Sequence, residues 1–411
     1  MLNGGGGLNP DGLSLDLQFA LDKTLTARKG PTPVFTRASS ATFVGVDGLI
    51  QTAATNIPRF DHTSAGVCRG LLIEESRTNS ITGSNAFNTW TLGNATASSS
   101  SVLTPEGTAD AWKVVEDTLL ANHNATRPFT PVSGTTYTAS VWIKSAENGF
   151  AFVGLTGGGF FPTFISVNLS TGAVSTAVGA PVGASSVSHS NGWWRVSFSL
   201  AATASLSSNI DIRLSRDGNW ANRSYLGNGV NGMYCYGGQV EAGSFPTSYI
   251  PTTTGSVVRS ADVCSITGSN FSNLWNTSGG TFLFEGFLIP CTSATINQRM
   301  LSSGSNRRWL YGNQPGVGTV AETLTLFDGA STPNYFTNVR ITTRFKMAIS
   351  VEALTCKASF NGSAISTVSH NGNLLNSVTL LGFFETASGF ITGVKYYKKN
   401  LSNAKLQALT V

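Results

Sequence analysis

Apolar residues recur at every second position over short stretches along nearly the whole chain. Leu15, Leu17, Phe19 and Leu21 alternate with Asp16, Gln18 and Ala20. Tyr137, Ala139, Val141 and Ile143 share one side of a stretch whose other side carries Thr138, Ser140, Trp142 and Lys144. Trp194, Val196 and Phe198 alternate with Arg195 and Ser197. Period-two alternation marks strands with two unlike faces. These stretches are rich in Val, Thr, Phe and Tyr and are cut by Gly, Asn, Ser and Pro. Turn signals stand between them at Val46-Asp47-Gly48, Ser133-Gly134 and Asn361-Gly362. Helical spacing is nearly absent. The exceptions are residues 401–410, with Ser402 as N-cap, and residues 272–275. The pattern predicts an all-β fold, an N-terminal β region followed by two β-sandwiches of jelly-roll type.

Three regions are expected. Residues 1–80 form a small connecting β region, too open to stand alone, which packs on its neighbour or on another subunit. Residues 81–259 form the first sandwich and residues 260–411 the second. Pro246, Pro251 and the Thr/Gly run at 252–255 mark the boundary between the two, because proline removes a ladder donor. That link is expected to lie along the domain surfaces. SITGSNAFNTW at 80–90 returns as SITGSNFSNLW at 265–275, matching at eight of eleven positions. The likeness stops at Trp90 and Trp275, so it reads as a shared way of pinning a first strand rather than a duplicated domain.

Composition narrows the class. Charged residues are 11% of 411, against ~25% in an ordinary soluble domain, while 41% hydrophobic residues supply enough apolar surface for a packed core. The net charge of +5 is small for the length, and Lys395, Lys398 and Lys399 are the one basic cluster. It reads as a solvated strand end, so no nucleic-acid partner is expected. Cys68, Cys235, Cys264, Cys291 and Cys356 include no C-x-x-C pair, which argues against zinc and for reduced, mostly buried thiols. No apolar run approaches ~20 residues, so no membrane span is expected. The opening MLNGGGGLNPDG lacks the marks of a signal peptide. Its glycine run, residues 4–7, is expected to be held by a partner chain.

Candidate chemistry is sparse. Glycoside hydrolysis needs two carboxylates facing a cleft. Asp211, Asp217, Glu241 and Glu285 are candidates without a catalytic context, and Asp211 is expected to face solvent or a groove. His62, His123, His189 and His370 are isolated in sequence. No G-x-S-x-G elbow or Walker loop is present, and the glycine-rich 154–161 reads as a turn. No catalytic residue, metal site or cofactor is therefore expected, although sandwiches of this kind suit a structural calcium ion. Sugar binding is the more natural chemistry, with aromatic rings stacking on sugar faces. Trp142 stands on the polar face of its strand, and Trp220 lies in a loop-like segment with Asp217, Asn219 and Asn222. Trp194, beside Arg195, is a third candidate, though a ring on the apolar side of a strand is usually core.

FTRASSATFV, DGLIQTAATNIPRFDH and GLLIEESRTN resemble the opening of a group of bacteriophage virion proteins, among them tail-fibre, head-spike and minor structural proteins. YGGQVEAGSFPTSYIPTTTGSVVRSADV resembles that group's link between domains. The middle region resembles carbohydrate-binding-module jelly rolls, and GFITGVKYYKKNLSNAKLQALT resembles the close of a concanavalin- or laminin-G-like domain. The resemblance covers most of the chain; residues 1–14 match nothing in it. It implies a non-enzymatic fibre, spike or decoration protein of the virion, assembled in the host bacterial cytoplasm. Residues 1–80 would attach it to other virion proteins, with a homotrimer as the expected assembly and a host-surface glycan as the ligand. A glycan-degrading tailspike and a purely structural spacer are the alternatives.

Overall fold

The computed structural model describes residues 12–289, 296–303, 308–314, 322–372, 374–375, 378–385 and 387–411. The expected anchoring glycines and Cys291 lie outside them. The described chain is almost entirely β, as the alternation predicts. Its α-helices are Phe19–Asp22, Gly268–Leu274 and Asn403–Thr410. In the last, the Ser402 hydroxyl caps the first turn by accepting from the Lys405 amide.

The middle of the chain forms a sandwich of two six-stranded antiparallel sheets. One runs Val182–His189, Trp193–Ala201, Thr136–Ser145, Gly232–Ala242, Trp112–Glu116, Ala95–Ser99. The other runs Val174–Val178, Thr163–Asn168, Phe150–Gly157, Ser208–Ser215, Asn124–Phe129, Thr91–Gly93. Tyr137, Ala139, Val141, Ile143, Val196 and Phe198 meet Val153, Ile165, Ile210 and Ile212 between them. The period-two assignment of faces is thus realised side chain by side chain.

The second sandwich is assembled from both ends of the chain. Leu13–Leu17 and Cys68–Ile73 both pair with Gly389–Tyr397, and Val34–Thr36 pairs with Val263–Thr267. Leu15, Leu17, Phe35, Leu71 and Ile73 share one core with Phe282, Phe284, Leu381, Ile391 and Val394. The middle sandwich is therefore an insertion between two parts of its neighbour. One local expectation fails: the strand ends at Leu17, Phe19–Asp22 is one helical turn, and Leu21 turns outward at 66% exposure. Lys23, in the left-handed region at φ 52°, closes that turn.

The two copies of the S-I-T-G-S-N segment do the same job. Ile81 and Ile266 are buried, and Gly83 and Gly268 turn the chain at φ 58° and 60°. Each is followed by a short helical turn whose Phe stacks on the closing Trp, Phe87 on Trp90 at 4.4 Å and Phe271 on Trp275 at 5.9 Å.

Buried ions join the link to residues 37–74. Arg59 bonds to Glu74 at 2.8 Å and to Asp262, and Arg37 bonds to Asp262 at 3.1 Å. Arg259 lies 3.6 Å from Glu74, and the Ser248 amide and hydroxyl both donate to Glu74. Further along, Val257–Arg259 pairs with Arg77–Asn79, and the Asn79 amide donates to the Ile250 carbonyl. The link lies against the protein along its length, as its composition suggests.

Candidate functional site

The outer face of the middle sandwich's first sheet is covered rather than solvated. Trp142, Trp193, Tyr236 and Tyr249 pack there with Ile50 and Ala111 into a third apolar cluster. Trp142 points away from the sandwich core, as its place among polar alternates predicts, yet it is only 1% exposed. Tyr249 meets its ring edge-on at 5.4 Å and the Arg195 guanidinium lies over it at 4.4 Å. The ring is closed in by its neighbours and borders the adjoining cleft without an open stacking face. Its polar strand-mates read as solvent-facing only because the covering segments are far away in sequence.

Beside this cluster lies a cleft of about 640 Å³. Four parts of the chain form its walls. Thr42, Phe43, Asp61, His62 and Arg69 come from the N-terminal region. His189, Arg195, Ser197 and Ser199 come from the sheet face, Ser244 to Tyr249 from the link, and Phe287 and Phe390 from the second sandwich. Phe287 and Phe390 stack at 4.7 Å, with Arg69 over Phe390 at 5.3 Å. His62 and His189 are isolated in sequence but border the same space. That convergence had no local signal, because strand order places residues from separate hairpins side by side.

The titratable groups of the cleft differ in state. Asp61 accepts from the Val44 amide at 2.8 Å and pairs with Arg69 at 3.4 Å, but burial pushes its carboxyl up to about 6. Burial, then the Arg195 charge, push the His189 imidazole down to about 4. At neutral pH the walls therefore offer the neutral His189 ring, hydroxyls, aromatic faces, the Arg69 and Arg195 guanidiniums and the ionised Asp61 and Glu74 carboxylates. A volume between ~300 and ~1,000 Å³ with this mixture suits one small polar ligand.

The remaining candidates are placed elsewhere. Trp194 lies at the edge of the sandwich core, and its indole N–H donates to the Leu169 carbonyl at 3.0 Å. Trp220 keeps a partly exposed ring on the outer face of the opposite sheet. It covers Phe164 at 4.6 Å and Phe152 at 5.2 Å, with Arg223 at 5.0 Å. Asn219 holds its turn by accepting from the Ala221 amide. Neither Trp194 nor Trp220 lines the cleft.

The four carboxylates weighed for catalysis are each engaged by neighbouring groups. Asp211, expected to face solvent or a groove, is 2% exposed, 2.7 Å from Arg213, and accepts from the Asn124 amide. Glu241 accepts from the Thr247 amide and hydroxyl and from Gln239. Asp217 holds Asn219 and Asn222, and Glu285 pairs with Arg344 at 2.7 Å. Among the described residues no group of three or more His, Cys, Asp or Glu could hold a metal ion, and Cys68, Cys235, Cys264 and Cys356 are free thiols. Lys395 lies 3.7 Å from Asp16, and Lys398 donates to the Asn273 carbonyl.

No protein-family model matches the chain, and no curated protein matches it in sequence. Among solved structures, the CBM40 of the Ruminococcus gnavus IT-sialidase is similar at 17% identity and a TM-score of 0.26, over 36% of this chain and 96% of that one. A leech intramolecular trans-sialidase, complexed with 2,7-anhydro-Neu5Ac, is similar at 14% identity and the same TM-score of 0.26. That likeness spans 36% of this chain and 26% of the leech enzyme. At these values neither speaks to what this chain binds.

Proposed function

We propose that this chain is a non-catalytic bacteriophage virion protein, a fibre, spike or decoration component, that binds a surface glycan in the cleft between its two sandwiches. The observation that carries the binding reading is the cleft itself. Its 640 Å³ combine stacked phenylalanines with serine hydroxyls, imidazole and guanidinium. Aromatic faces receive the C–H faces of a sugar ring, and the polar groups orient its hydroxyls. The virion setting rests on the resemblance of residues 35–79 and 236–263 to phage structural proteins. On this reading residues 1–80 contact other virion proteins and the assembly is a homotrimer, which would also cover open sheet edges. Leu21, Val34, Val46, Ile57 and Val67, each more than half exposed, supply apolar surface for such contacts.

The test is a glycan array of bacterial surface polysaccharides with the full chain, followed by titration calorimetry. Wild type is expected to bind. Phe287→Ala, which removes a partly exposed ring from the cleft wall, is expected to weaken binding about tenfold, equivalent to ~1.4 kcal/mol. A blank array would favour the spacer. Release of reducing ends, abolished by Asp211→Asn or Glu241→Gln, would establish a glycan-degrading enzyme instead.

A further inference from the structure

Arg195 sits differently from the other buried guanidiniums. Arg37, Arg59 and Arg259 each lie within ion-pair distance of Glu74 or Asp262. Arg195 makes no ion pair among the described residues. Its one hydrogen bond there runs from Nη2 to the Ser140 hydroxyl at 3.1 Å, its plane lies over Trp142, and its Nε is buried without a partner. The carboxylates bordering this face are already engaged. Asp61 is bound to Val44 and Arg69, Glu74 to Arg59 and Ser248, and Glu241 to Thr247 and Gln239. Glu241 and Glu74 attract Arg195 from beyond ion-pair distance, and a partly buried cation with no anion in contact gains if one reaches it. Arg195 lines the cleft, so an anion can arrive with the ligand.

Around Arg195 the wall carries hydroxyls. Ser197 and Ser199 follow on the same face of its strand, with Ser185 3.1 Å from Ser197 and Thr138 2.7 Å from Ser199. His189 and the neutral edge of Trp142 complete that side. A planar guanidinium matches a carboxylate, and a row of hydroxyls matches a polyol. We propose that the cleft selects a sugar bearing a carboxylate, a uronic-acid type of residue, and that Arg195 receives that carboxylate. This rests on the reading of the cleft as a glycan site and adds the charge of its ligand.

The experiment is calorimetry on the full-length protein at pH 7 and low salt, with glucuronate, glucose, acetate and inorganic phosphate as probes. Glucuronate is expected to bind at least tenfold more tightly than glucose, acetate or phosphate, with affinity falling as salt is added. Arg195→Gln is expected to remove the preference over glucose, and Arg195→Lys to retain part of it. Since Arg195 also packs on Trp142, the comparison among probes on wild type stands without any variant. Equal binding of glucuronate and glucose would overturn the charge assignment while leaving glycan binding intact. Acetate or phosphate binding as tightly as glucuronate would overturn the sugar part. Binding of none of the four would overturn this inference, and the array decides the broader reading independently.

Discussion

Glu74 shows how a single buried charge is kept ionised. Burial alone would raise its pKa, but the Arg259 and Arg59 guanidiniums and the two Ser248 donors outweigh that and hold it at about 2. Its folded value is below the ordinary ~4.3, so its stabilisation is present above that pH and is lost as pH falls through about 2. Glu74→Gln leaves Arg59 and Arg259 short of an anion. It is expected to cost about 3–5 kcal/mol at pH 7, read as a lowered urea midpoint. His189 and Asp61 act in the range between. The His189 ring, pushed down to about 4, favours folding increasingly as pH rises from about 4 to its ordinary ~6.5. Asp61, pushed up to about 6, opposes folding increasingly as pH rises from its ordinary ~3.9 to about 6. Each slope spans roughly 3 kcal/mol at ~1.4 kcal/mol per pKa unit, so the two nearly cancel in the wild type. His189→Gln should leave a falling stability between pH 4 and 6, and Asp61→Asn a rising one. Urea midpoints at three pH values across that window check this; parallel curves for all three proteins would refute it.

Among the elements, the strand Cys68–Ile73 is exacting at one position. Gly70 lies at φ 116°, and a Cβ there would stand 2.2 Å from the Ile391 carbonyl oxygen of the neighbouring strand. Gly70→Ala therefore has to part the N-terminal strand from Gly389–Tyr397, and a loss of more than about 2 kcal/mol is expected in thermal or urea unfolding. On the outer face of the middle sandwich's second sheet, Trp220→Ala uncovers Phe152 and Phe164. It is expected to cost roughly 3 kcal/mol while leaving glycan affinity unchanged, which separates a covering role from a binding one. Strand stretches, the Asn361-Gly362 turn, with φ 46° and 76°, and the Ser402 cap were all legible from local sequence. The cleft was not. Its histidines, Arg195 and the Phe287–Phe390 pair come from elements whose adjacency is fixed by long-range pairing, to which a period-two pattern is blind. Trp142 illustrates the same limit: alternation gave its face correctly and could not tell what lies against that face.

At the scale of the whole molecule, the Arg37, Arg59, Arg259, Glu74 and Asp262 cluster fastens the link that leaves the inserted sandwich to residues 37–74. A fragment of residues 260–411 lacks Leu15, Leu17, Phe35, Leu71 and Ile73 from its core. It is expected to be insoluble alone and to gain solubility when residues 12–80 are supplied in trans, as checked by fractionation of co-expressed fragments. The pairing of Leu13–Leu17 with Gly389–Tyr397 also sets an order of events during synthesis. The inserted sandwich has all its strands once Gly232–Ala242 has left the ribosome. Leu13–Leu17 must wait, unpaired, until Gly389–Tyr397 has been made, so the inserted sandwich is mature before these earlier residues find their place.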